Sequence, residues 1–394
     1  MDKRFLAACV TAAALTVTGL WSPAAEAAPA TDAVGYQINA RHDGYSAAGV
    51  ARPPLTEKWR RALDYSVSYP VIANGRVFVT SAPDSAGNGT TLHALDAATG
   101  RDVWGPVDLG GGTRWSALAL GAGRVYALNW DGELRAFSQR TGRLIWTTDL
   151  PDQWSFTSAP TFFNGQVFTG GAGFGGTLYA VDAATGEVNW TAQVENGDQS
   201  SPAVTATGVY VAYACEQAYR FDPATGAQVW HHNSGCAGGG GKTATVAAGG
   251  LWVRDPYDSG TPVLRLTDGT TRATFAQRGV RAPAFLGSTG FFVENGKLRA
   301  SEAATPAVAK WTFEGDGSLT TAPIVVNGFV YVGSTSGRLY AVDPATGQSV
   351  WSTDTGLEIQ GPDEQNVSQP LTGLAAGQGI LAVPASGTLI AYGG

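Results

Sequence analysis

The sequence predicts an all-β protein: an eight-bladed β-propeller of four-stranded antiparallel blades, closed by an N-terminal strand that completes the last blade. Three observations predict it. A cassette typified by LYAVDAATGEVNW (178–190) recurs along the chain. A pair of short apolar runs joined by a glycine-containing turn precedes each cassette. The last cassette stops at SGTLIAYGG (386–394), one strand short, while a suitable strand waits at the other end as LTEKWRRAL (55–63). Recurrence at this period marks a radial or linear repeat array.

The paired runs supply the two inner strands of each unit, called A and B. YPVIANGRVFVTS (69–81), SAPTFFNGQVFTGG (158–171) and TAPIVVNGFVYVGS (321–334) are examples, and eight such hairpins can be counted. Asn-Gly between β-branched runs is a strong hairpin signal. The cassette supplies the outer strands C and D. Strand D ends in an aromatic, giving Trp104, Trp146, Trp190, Trp230, Phe275, Trp311 and Trp351, with Trp59 ahead of them all. These recur about every 42 residues, a blade-sized period. Closing the ring hides two sheet edges that would otherwise template aggregation.

The turn between C and D explains the cassette's chemistry. Asp96, Asp182, Asp222 and Asp343 are placed to accept hydrogen bonds from backbone N–H groups two residues on. Gly100, Gly186, Gly226 and Gly347 supply a positive φ. Trp104, Trp190, Trp230 and Trp351 bury large aromatic surfaces between blades, as does Trp59. One acid repeated around a ring is expected to be structural, because a reaction needs its catalytic group once. Two copies are worn: VLRLTDGTTRATF (263–275) ends in Phe275, and LRASEAATPAVAKW (298–311) carries Glu302 and Pro306. Proline cannot adopt φ > 0, so that turn must differ in shape.

Residues 1–27 read as a signal peptide: Lys3 and Arg4, an apolar stretch, then Ala25-Glu26-Ala27 as the cleavage signature. Residues 28–54 form an N-terminal lead segment and 55–394 the propeller. A secreted monomer is expected, with no transmembrane segment. The net charge is −7, and it is unchanged by removing residues 1–27, which hold two bases and two acids. That excludes nucleic acid as a natural partner. Cys215 and Cys236 remain after cleavage and are expected to form a disulfide on one face of one blade.

The tandem A-x-D-x-x-T-G-x-x-x-W copies, cleanest at Ala180-Asp182-Thr185-Gly186-Trp190, resemble the pyrroloquinoline-quinone (quinoprotein) repeat. The resemblance covers about residues 55–394 and implies the eight-bladed fold. Its dehydrogenase branch implies an adjacent Cys-Cys disulfide, a calcium held by acidic and amide side chains, and a catalytic Asp. No adjacent cysteines occur here. The expectation is therefore a non-enzymatic, exported scaffold that needs no cofactor and binds a protein or cell-surface polymer through its variable-loop face. The alternative is a pyrroloquinoline-quinone-dependent oxidoreductase with its cofactor at the mouth of the central channel.

The D–A and B–C loops share one face, the D–A loops vary, and function concentrates on such loops. Aligning the starts of the A strands places Ser68, Ser116, Ser158, Ser200, Thr243, Arg281, Thr321 and Ser368 around the channel mouth. Arg281, with Lys242 and Arg114 near it in register, is the candidate anion site. Trp115, Trp130, Trp154, Phe174 and Tyr257 lie in or beside these loops, as a stacking surface or as the top of the core. GCAGGGGKT (235–243) lacks the first glycine of a phosphate loop and leads into a strand, not a helix. No zinc-ligand spacing or Ser–His–Asp pattern is present, so neither metal nor catalytic residues are expected.

Overall fold

The computed structural model describes residues 32–46, 52–83, 87–195, 199–213, 217–233, 241–254, 261–275 and 281–394. The predicted signal peptide and both Cys215 and Cys236 lie outside the described residues, as does Tyr257.

Alternating apolar residues and glycine turns fold into eight antiparallel sheets arranged radially. Blade 2 is typical: Ser116–Gly121, Arg124–Asn129, Glu133–Ser138 and Leu144–Asp149 run in order from axis to rim. The inner strand is almost wholly buried, whereas the outer one alternates exposed and half-buried residues. The core therefore lies in the A to C strands, packed face to face between blades. Blade 8 joins the chain ends. Thr56–Ala62 pairs antiparallel with Thr388–Gly393, Thr56 opposite Gly393 and Ala62 opposite Thr388. This is the closure that the one-strand-short C-terminus predicts.

The D-strand tryptophans Trp59, Trp104, Trp146, Trp190, Trp230 and Trp311 dock on the C–D turn of the next blade. Trp59 Nε1 donates to Ala97 O at 2.9 Å, Trp104 to Gln139 O at 3.1 Å, Trp190 to Pro223 O at 3.1 Å and Trp311 to Pro344 O at 3.0 Å. The receiving glycine is required twice over. Gly186 has φ +82°, and a Cβ there would stand 2.7 Å from the Trp146 ring. In the same turn Asp182 Oδ1 accepts the N–H groups of Ala184 and Thr185, both at 2.8 Å. Those bonds, the Thr185 N–H foremost, hold its carboxyl below the usual range. Asp96, Asp222 and Asp343 make the same contacts in their own turns. In the worn sixth copy, the Thr305 N–H bonds to Glu302 O instead, and Pro306 follows.

The lead segment enters the ring. Residues 33–46 cross the central channel, and six of their carbonyls accept N–H groups from six inner strands. Ile72 donates to Ala33, Leu120 to Val34 and Val204 to Ala40, each at 2.7 Å. Val246 donates to Arg41 at 3.0 Å, Phe285 to Asp43 at 2.9 Å and Val325 to Gly44 at 2.8 Å. The six donors occupy the same position in blades 1, 2, 4, 5, 6 and 7. Tyr45–Ser46 adds a short parallel strand beside Val325 and Val326. Non-glycine residues rarely adopt positive φ, yet Gln37, Ile38 and His42 stand at 51°, 75° and 55°. The surrounding bonds over-determine these conformations.

Candidate functional site at the channel mouth

The hairpin registers correct two positions in the predicted ring of A-strand starts. Ala203 pairs Tyr210, Thr245 pairs Trp252 and Ala375 pairs Ala382. Counting back three residues from each equivalent position gives Ser200, Lys242 and Thr372. Lys242, not Thr243, therefore holds the blade 5 position, and Thr372, not Ser368, the blade 8 position. The glycine run before Lys242 and the long loop before Thr372 obscured both. The ring is thus six hydroxyls with two cations, Lys242 and Arg281, on adjacent blades. Some hydroxyls tie neighbouring blades: Ser158 Oγ donates to Ser200 O at 2.7 Å, and Ser200 Oγ to Lys242 O at 3.0 Å.

A third cation stands behind the ring. Arg254 follows strand B of blade 5, twelve residues after Lys242. Equivalent sites in blades 3 and 4 carry Gly170 and Ala212, whose N–H groups bond the ring hydroxyls Ser158 and Ser200. Arg254 is 1% exposed and ion-paired with Glu364, itself 3% exposed, at 2.7 Å. Its guanidinium also donates to Thr243 O. A buried charge requires a partner, so a charged residue in this inner position was the available signal.

Glu364 belongs to the segment from Thr355 to Leu374 that links blades 7 and 8, here called the strap. Its Oε1 accepts Arg254 Nη2 at 2.7 Å, and its Oε2 accepts the same nitrogen at 2.9 Å and the Thr243 N–H at 2.6 Å. Tyr36, at the tip of the channel-crossing segment, donates its O–H to Oε1 at 3.3 Å. Burial pushes the Glu364 carboxyl up, but the Arg254 and Lys242 charges outweigh it and hold the group below its ordinary range. Burial and the Glu364 charge raise the Tyr36 phenol well above its usual value, so it keeps its proton. Elsewhere the strap rests on Arg281, which donates to Pro362 O and Thr320 O, both at 2.7 Å.

Arg254, the residue that sequence reasoning missed, thus bonds the Glu364 carboxylate directly, Lys242 acts on the same carboxylate by its charge, and Arg281 holds the strap beside it at Pro362 O. Arg114 lies apart: its Nε donates to Gly87 O at 3.0 Å and its backbone N–H to Val367 O at 3.1 Å. Among the loop aromatics, Trp115 is buried, Trp130 is partly buried, and Trp154 and Phe174 are 56% and 82% exposed. Among the described residues, no group of three or more His, Cys, Asp or Glu is placed to hold a metal ion, and no helix is long and apolar enough to cross a membrane.

Comparison with known proteins places this architecture. Residues 130–353 match the family model described as outer membrane protein assembly factor BamB, a model of the pyrroloquinoline-quinone repeat. The chain belongs to the pyrroloquinoline-quinone-repeat β-propeller family. It is 26% identical over 337 residues to the dehydrogenase subunit of the quinone alcohol dehydrogenase of Gluconacetobacter polyoxogenes, covering 75% of this chain and 42% of that one. With the corresponding subunit of Gluconobacter oxydans it shares 27% over 334 residues, covering 77% and 40%. The chain therefore spans about two fifths of the length of these relatives. Its fold resembles the quinohemoprotein alcohol dehydrogenase of Comamonas testosteroni (TM-score 0.71, 16% identity, 94% of this chain and 81% of that one). It also resembles BamB of Moraxella catarrhalis (TM-score 0.64, 17% identity, 86% and 100%).

These findings correct the expectation of a non-catalytic binding scaffold without enzymatic activity. The curated relatives that align over three quarters of the chain are dehydrogenases. Sequence reasoning gave decisive weight to the missing Cys-Cys pair, whereas the likeness to dehydrogenases extends over about three quarters of the chain.

Proposed function

We propose that this protein is an exported quinone-dependent oxidoreductase acting on alcohols, with pyrroloquinoline quinone held at the channel mouth. The observation that carries this reading is the buried Arg254–Glu364 pair, with the Lys242 charge acting on the same carboxylate and Arg281 beside it at Pro362 O. That donor set fits a quinone bearing several carboxylates, since guanidinium groups pair with carboxylates through directed, charge-assisted bonds. Thr243 Oγ1, buried and without a hydrogen-bond partner among the described residues, adds a polar atom beside the N–H that Glu364 now accepts.

When bound, the quinone supplies a two-electron acceptor for the alcohol. The chain's own residues would do the rest. Arg254, Lys242 and Arg281 would fix the cofactor's orientation through its carboxylates. The segment around Tyr36 seals the channel from the opposite face. The strap keeps water from the mouth, where fixed charges act more strongly than in bulk solvent. The mature chain, mixed with pyrroloquinoline quinone and calcium, should bind the quinone saturably and reduce a dye on addition of a primary alcohol. Absence of both binding and dye reduction would overturn the reading.

A further inference from the structure

We propose that Arg254, Lys242 and the Thr243 N–H form a carboxylate-binding site that the chain keeps closed with its own Glu364, and that a polycarboxylate ligand enters by exchanging with that side chain. The proposal rests on the oxidoreductase reading for the identity of the ligand alone; the exchange stands on the geometry of the strap.

Two features make the middle of the strap a displaceable stopper. Its ends are anchored by apolar residues: Ile359 is 1% exposed, Leu371 1% and Leu374 3%. Between residues 360 and 369, only Pro362 and Glu364 are buried. Apart from Pro362, that stretch is held by polar contacts: Glu364 on Arg254, Pro362 O on Arg281, Gln365 Nε2 on Gly241 O at 3.3 Å and Val367 O on the Arg114 N–H. Segments with few buried apolar contacts open at the low end of a protein's stability range.

The exchange is also chemically even. Removing a carboxylate from buried cations leaves uncompensated charge and is strongly unfavourable. Replacing it with a ligand carboxylate restores the charge, the guanidinium bonds and the Thr243 bond together. The strap's seat depends on close approach at Gly361, where a Cβ would fall 2.3 Å from Thr320 O and 2.8 Å from Arg281 Nη2. A methyl group there must lift the strap while leaving Glu364 intact.

The test uses citrate as the probe, at constant ionic strength with sodium chloride as the balancing salt, on the full-length mature protein. Affinity is read by calorimetry and by the shift of the melting temperature. Glu364→Ala and Gly361→Ala should each bind citrate at least tenfold more tightly than the parent, and citrate should raise the melting temperature of Glu364→Ala far more than that of the parent. Adding Arg254→Met to Glu364→Ala should abolish the gain. Parent-like citrate affinity in both single variants, or an equal shift from sodium chloride, would overturn the proposal. A protein that shows this gain but never binds the quinone keeps the exchange and loses the oxidoreductase reading. One that reduces dye with the quinone, but shows no gain, keeps the activity and loses the exchange.

Discussion

Tyr36 and Glu364 stand 328 residues apart in the chain and share a buried hydrogen bond at 3.3 Å. One comes from the segment that crosses the channel, the other from the strap over its mouth. Their contact, with Arg254 behind it, closes the axis of the ring from both faces.

The Arg254–Glu364 pair should show strong coupling. Arg254→Met or Glu364→Gln alone leaves a buried group without its partner, and each is expected to lose about 3–5 kcal/mol. The double variant should lose much less than the sum, because neither stranded charge remains. Denaturant titration of the four proteins measures this, and simple additivity would show that the pair does not act as a unit.

The docking glycines separate backbone strain from steric contact. Gly186→Ala must accept φ +82° and also push against the Trp146 ring and Thr148 Oγ1; a loss of about 2–4 kcal/mol is expected. Gly165→Ala faces a similar φ of +81° with nothing within 4 Å, so the loss should be about 1–2 kcal/mol. Equal losses at the two positions would mean that the tryptophan contact adds nothing.

Closure rests on Trp59, which is 8% exposed in blade 8 and bonded to Ala97 of blade 1. Trp59→Ala should lose about 3–5 kcal/mol. It should also raise amide exchange in residues 388–393, which pair with its strand, before exchange rises in blades 3 and 4. Uniform exchange around the ring would contradict a local weakening at the seam.

His42 couples the channel-crossing segment to pH. Its Nδ1 lies 2.7 Å from Tyr36 O, and its Nε2 lies 2.9 Å from Pro202 O and 3.1 Å from Thr161 Oγ1. Burial lowers its pKa from 6.5, although the two carbonyls oppose this. The unfolded chain therefore takes up this proton first, so the stability is whole above pH 6.5 and falls as pH drops below it. The slope from one such group reaches at most about 1.4 kcal/mol per pH unit. His42→Gln should flatten the melting temperature between pH 6.5 and 5 relative to the parent; an unchanged profile would exclude His42 as its source.

The blades were legible because each is written eight times in side chains: a glycine turn, an apolar hairpin, an aromatic end. The closing strand was legible from a cassette left one strand short. The passage of residues 33–46 through the channel was not, because it is held largely by main-chain carbonyls, which any residue supplies. Arg281 stood out as a charge among hydroxyls, with Lys242 beside it in register. Arg254 did not, because its meaning depends on Glu364, set in a long loop whose path no local pattern determines.

Blade 8 is built from both ends of the chain, with Thr56–Ala62 and Thr388–Gly393 as neighbours. During synthesis the first of these strands must wait for residues 388–393 to appear, and no complete ring exists until they do. The finished molecule then has no terminal repeat from which to fray. Heating should melt it as one cooperative body, unlike an open stack of repeats that loosens from its tips.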